Sequence, residues 1–169
     1  MSSSDLGSRR LVLTGLLGLG ACNLRPIYSA PETRKVIPDL AAIEVAQQSG
    51  RRGQYLRNYL LEEFNPQGIV VPAAYRLGIV LTRQSNTLAI QLDNTATRVN
   101  MIMAASFTLT RIGDGGVLYD SAIRRVVSYN IRSDPFATLI SEEDAERRAT
   151  REVARQIRTI LSLYFAEQA

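Results

Sequence analysis

The sequence has no histidine and no tryptophan, one cysteine, and a single lysine, Lys35, among twenty basic residues. Each shortage removes a chemistry. Without histidine there is no Ser-His-Asp or Cys-His arrangement, and no imidazole to ligate a metal. With one thiol, Cys22, neither an intramolecular disulfide nor a thiolate metal cage can form, so the fold must rest on packing alone. Two pairs of carboxylates could be imagined as hydrolytic, Glu142 with Asp144 and Asp114 with Asp120. They sit at a helix start and in a hairpin, where capping and turn chemistry already account for them. No nucleophile with an adjacent base can be named, so the sequence reads as a protein without catalytic activity, cofactor or metal.

What charge there is comes from arginine, nineteen of the twenty basic residues, against sixteen acidic ones. Arginine's rigid fork suits bidentate contact with phosphate better than a lysine point charge does. A genome-wide base bias produces the same excess without any ligand. The net charge of +4 would also suit nucleic acid, but the export signal described next argues against that partner.

After a short polar start come Arg9 and Arg10, then Leu11 to Leu19, uncharged and with only Thr14 polar. This run of about ten residues is too short for a bilayer, which needs about twenty, and matches the charged and apolar regions of a secretory signal. Leu19-Gly20-Ala21-Cys22 resembles the bacterial lipobox. In such signals the cysteine is joined to diacylglycerol, the leader is cut before it, and the new amino terminus is acylated, which anchors the chain firmly. The plainer alternative is a lone thiol at the end of an uncut helix. Asn23 follows, and lipoproteins lacking aspartate there go to the outer membrane, a sorting implied by the resemblance. Ser8-Arg9-Arg10-Leu11-Val12-Leu13 also looks like a twin-arginine signal, with the general export route as the default.

The expected organisation is a signal peptide over 1–21, a lipidated tether over 22–39, and one domain over 40–169. Cleavage before Cys22 leaves 148 residues with 18 basic and 15 acidic side chains, enough chain for one core. Pro26, Pro31 and Pro38 suggest that the tether is extended. Leu40 to Gln47 alternates around Ile43 and Val45, a first short strand. From Arg51 to Phe64, Leu56, Tyr59, Leu60 and Phe64 recur at helical spacing, and Asn65-Pro66-Gln67-Gly68 ends the helix. Arg51 and Arg52 oppose the dipole at its start, a weak hint of an anionic partner.

Three strands should follow. Ala74 to Arg83 alternates with one core face, and its pattern resumes at Leu88, Ile90 and Leu92 beyond a polar interruption at Gln84 to Thr87. Asp93-Asn94-Thr95 supplies a turn into Thr97 to Arg111, and Gly113-Asp114-Gly115-Gly116 reverses into Val117 to Asn130. The core face of that last strand is not decided by its pattern. Asp134-Pro135 starts a second helix, with Ser141-Glu142-Glu143-Asp144 as a point where it could kink or restart. Its apolar side runs from Ala149 to Tyr164, opposite Arg147, Arg151, Arg155 and Arg158. Such a stripe is either a solvated face or a contact for phosphate or lipid. The fold expected is α+β: a single mixed sheet of about four strands, mostly an antiparallel meander, with two helices on one face.

This order of elements resembles the LPS-assembly lipoprotein family, LptE. The matching segments are Cys22-Asn23-Leu24-Arg25-Pro26-Ile27-Tyr28, Gln54-Tyr55-Leu56-Arg57-Asn58-Tyr59-Leu60, Tyr75-Arg76-Leu77, Thr97-Arg98 through Ala104-Ala105, Ser128-Tyr129-Asn130, and Asp144-Ala145-Glu146-Arg147-Arg148-Ala149. The resemblance implies an outer-membrane lipoprotein on the periplasmic side that plugs the LptD β-barrel translocon at the last step of lipopolysaccharide export. A polar lumen would be matched by a charged, non-greasy surface. The family is credited with binding lipopolysaccharide through basic residues near the first hairpin tip. That tip here is Asp93-Asn94-Thr95, which leaves Arg83 and Arg98 as the nearest basic candidates beside the helical stripe. A different class of reading is an accessory lipoprotein of an ABC-type lipid or solute transporter, distinguished by its partner.

Overall fold

The computed structural model describes residues 31–87 and 98–168. Cys22, the leader, the tether up to residue 30, the resumed alternation at Leu88 to Leu92 and the Asp93-Asn94-Thr95 turn lie outside those residues.

Seven elements follow in order: α1 (Pro31–Ala41), β1 (Ile43–Val45), α2 (Gly50–Phe64), β2 (Tyr75–Thr87), β3 (Arg98–Arg111), β4 (Val117–Asn130) and α3 (Pro135–Gln168). The four strands form one sheet in the order β1-β2-β3-β4. β1 runs parallel to β2, and the other two pairings are antiparallel. This is the α+β fold with a mixed four-stranded sheet, but it carries three helices among the described residues rather than two.

The extra helix corrects the extended tether expected up to residue 39. Proline is acceptable at the first helical position, where the missing N–H has no intrahelical partner in any case. Pro38 does remove a bond inside α1, and burial of Val36 and Leu40, spaced four apart, offsets it.

β3 is the centre of the sheet, and its alternation is decisive. Met101, Met103, Ala105, Phe107 and Leu109 are all buried on one side, joined by Leu77 and Ile79 of β2. On β4 the side that packs against this core carries Tyr119, Ile123, Val127 and Tyr129, which decides the face its pattern left open. The helices supply Leu56, Leu60 and Phe64 from α2, and Ala145, Ala149, Val153, Ile157 and Leu161 from α3. The polar stretch Gln84 to Thr87 is no interruption, because each residue keeps register with β3, from Gln84 opposite Ile102 to Thr87 opposite Val99. Backbone pairing there outweighs the loss of side-chain alternation.

α3 runs unbroken for 34 residues, so Ser141 neither kinks nor restarts it. Ser141 Oγ instead donates back to the Ala137 carbonyl at 2.8 Å. Asp134 caps the start, accepting from the N–H groups of Phe136 (3.0 Å) and Ala137 (3.3 Å). The opposite sheet face, with Val80, Thr82, Ser106, Thr108 and Arg124, carries no helix among the described residues.

Candidate functional site

α2 and α3 lie side by side with a repeated offset in their contacts. Arg51 Nη1 meets Glu143 Oε1 at 2.7 Å, the Arg147 guanidinium sits 5.6 Å from the centre of the Tyr55 ring, and that of Arg151 sits 4.8 Å from the Tyr59 ring. Both rows advance by four residues, so the helices are parallel and matched turn for turn. Further along, the match slips by about a turn, and Glu63 meets Arg158 at 3.9 Å. The first rung also explains the arginines at the start of α2: Arg51 is held by Glu143, while Arg52 forms no ion pair among the described residues.

The stripe is therefore two populations. Arg147 and Arg151 rest on tyrosine faces and remain exposed, a geometry that fixes each guanidinium plane while its edge donors stay available to an anion. Arg155 pairs with Glu152 on its own helix at 2.8 Å. Arg158 is drawn toward α2, with its Nε buried and without a hydrogen-bond partner.

Arg83 is not at a free tip. From β2 it reaches α3, pairing with Glu142 and, at 3.3 Å, with Glu146, and it also donates to Ser85 Oγ. Arg98 is exposed at the far end of the sheet, in register with Asn130. At that same end Phe136, Leu139 and Ile140 expose 68%, 51% and 48% of their surface along one side of α3. In the sequence these three residues are marked only by an i, i+3, i+4 spacing ahead of the core stripe. The tyrosine partners of Arg147 and Arg151 are marked by a four-residue spacing in α2 equal to that of the two arginines.

The imagined carboxylate pairs are separated by their partners. Glu142 takes Arg83 and Asp144 takes Arg148. Asp114 accepts from Gly116 N at 3.0 Å, which with Arg111 nearby holds its carboxyl below the ordinary range, and Asp120 accepts from Thr108 Oγ1 at 2.8 Å. Gly115, at φ +69°, takes the left-handed position that this turn requires. Among the described residues no cluster of acids or thiols is arranged to hold a metal ion.

A scan against protein families matches residues 40–161 to the LptE model, described as lipopolysaccharide-assembly. The chain belongs to the LptE family. A solved structure of a candidate lipoprotein from Caulobacter crescentus is 29% identical, with a TM-score of 0.66 over 79% of this chain and 97% of that one. A minor lipoprotein from Acinetobacter baumannii, 18% identical, shares the fold at a TM-score of 0.52 over 72% of this chain and 88% of that one. No curated protein matches the sequence. LptE-family proteins are lipoproteins of the cell envelope that serve lipopolysaccharide assembly, and this chain takes that role with the rest of its family. No helix among its described residues is long and apolar enough to cross a membrane.

Proposed function

We propose that this LptE-family chain is a non-enzymatic outer-membrane lipoprotein, anchored through Cys22, that plugs and helps assemble the LptD β-barrel and supports lipopolysaccharide insertion at the cell surface. The observation that carries the reading is the family match over residues 40–161, which spans the sheet and most of α3. Two features of the fold support it. The sheet face that carries no helix among the described residues is lined largely by small and polar side chains, suited to a polar lumen. At the sheet end that bears Arg98, the first turns of α3 expose Phe136, Leu139 and Ile140, an apolar surface that fits the acyl chains of a lipid.

In this reading Arg98, Arg147, Arg151 and Arg155 contact lipopolysaccharide directly. Arg83 and Arg158 belong to the same candidate set but act from within the fold, where carboxylates already face them. Depleting the protein should lower lipopolysaccharide at the cell surface, and re-expression should restore it. Labelled palmitate should enter the wild-type chain and not Cys22→Ser. Normal surface lipopolysaccharide after depletion, or palmitate in the Cys22→Ser chain, would contradict the proposal.

A further inference from the structure

β1 covers little of the strand beside it. Its three residues pair with Tyr75 to Leu77, and the chain then leaves the sheet through Ala46 to Ser49 and enters α2. The direction of the backbone left uncovered among the described residues follows from the bonds β1 does make. Tyr75 N donates to the Ala42 carbonyl at 3.2 Å, and the Leu77 carbonyl accepts from Ala46 N at 3.0 Å. In an antiparallel ladder the N–H and C=O of one residue point the same way and alternate along the strand. Ile79, Leu81 and Arg83 therefore aim their backbone groups outward, past the end of β1.

A groove of about 600 Å³ lies along this edge. On one side it is lined by five consecutive residues, Ile79 to Arg83, whose side chains alternate between the two sheet faces; what they share is the outward edge. The other wall is Gln47 to Ser49 with Arg52 and Gly53, and Met103 of β3 also lines the groove. No carboxylate lines the groove. Arg83 is already held by Glu142 and Glu146, whereas Arg52 is exposed and forms no ion pair among the described residues.

We propose that the outer edge of β2 from Ile79 to Arg83 is a strand-addition site, taking an extended segment of a partner polypeptide that sets a carboxylate against Arg52. The added strand continues the line of β1 and satisfies the outward backbone groups, while the acid supplies the charge that the groove lacks. The site holds whether or not that partner is a barrel.

The test uses the full chain purified in mild detergent and a fluorescent ten-residue peptide of alternating valine and threonine with one central glutamate. Saturable binding is expected, accompanied by slowed amide exchange over 79–85 and unchanged exchange in β4. Methylating alternate backbone nitrogens of the peptide should weaken binding at least tenfold, and Arg52→Glu, at an exposed position, at least threefold. The proposal is overturned by absent binding, by equal binding of the methylated peptide, or by protection in β4 instead. Slow exchange over 79–85 without peptide, together with a dimer in sedimentation, would overturn it in favour of a second copy of this chain.

Discussion

Arg83 on β2 and Glu146 on α3 meet at 3.3 Å, with 22% and 6% of their side chains accessible. The contact binds an outer region of the sheet to the long helix, and it makes a basic residue near the hairpin part of the fold's own framework. Removing the arginine would leave Glu146 charged and enclosed.

Arg83→Ala should therefore destabilise the protein by about 3 kcal/mol, the low end for breaking a buried pair because Arg83 keeps some exposure. Adding Glu146→Gln should recover part of the loss, since the neutral amide needs no counter-charge. Urea unfolding of the two variants measures both effects.

Gly53 in α2 reverses an ordinary rule. At an exposed helical site, glycine to alanine stabilises by about 1 kcal/mol. A Cβ on Gly53 would stand 2.6 Å from Gln48 Cβ and 3.1 Å from the Gln48 carbonyl carbon. Gly53→Ala should lower the melting temperature, and Gln48→Gly in the same chain should return part of it.

Charge reversal at Arg147 and Arg151 separates structure from ligand contact. Each ring contact is worth about 0.5–1 kcal/mol at an exposed site, so the double glutamate variant should stay folded with a loss of about 1–2 kcal/mol. Its binding to lipopolysaccharide, measured by titration, should fall severalfold. A loss of several kcal/mol with binding unchanged would make the stripe purely structural.

The pH response should have an acid limb, where the stability tied to the lowered Asp114 carboxyl is lost as pH falls through its folded value, and an alkaline limb. With no histidine, side-chain titration leaves stability flat between about pH 5.5 and 7.5. Burial, with the charge of Asp39 nearby, raises Tyr75 above the ordinary tyrosine value, and burial with Glu142 raises Tyr129. An unfolded tyrosine ionises near about pH 10, before these two do in the folded chain. Their contribution is thus complete below about pH 10 and is lost as pH rises through their raised values. Tyrosinate absorbance should show a late component that Tyr75→Phe and Tyr129→Phe each diminish.

Much of this architecture was legible where one side of an element meets the core. β4 and α3 start where their turn and cap residues indicate, and β3 has one apolar row that nothing else could bury. α1 was hidden because prolines read as helix breakers, while the burial of Val36 and Leu40 that compensates them depends on α3, more than a hundred residues away. β2 continues past Arg83 as expected, but without the interruption at Gln84 to Thr87, because its partner strand, not its own pattern, sets the pairing there. The arginine stripe was visible as spacing, yet its division into ring-bound and carboxylate-bound members was not. That division depends on which turn of α2 lies beside which turn of α3, a relationship that no periodicity within a single helix encodes.

The most direct test of the central claim is to solubilise outer membranes in mild detergent, capture the protein by a C-terminal tag, and identify and quantify what accompanies it. The account predicts a large β-barrel of the LptD type in near one-to-one amount. Recovery of the protein alone, or with an inner-membrane ATPase complex, would contradict it.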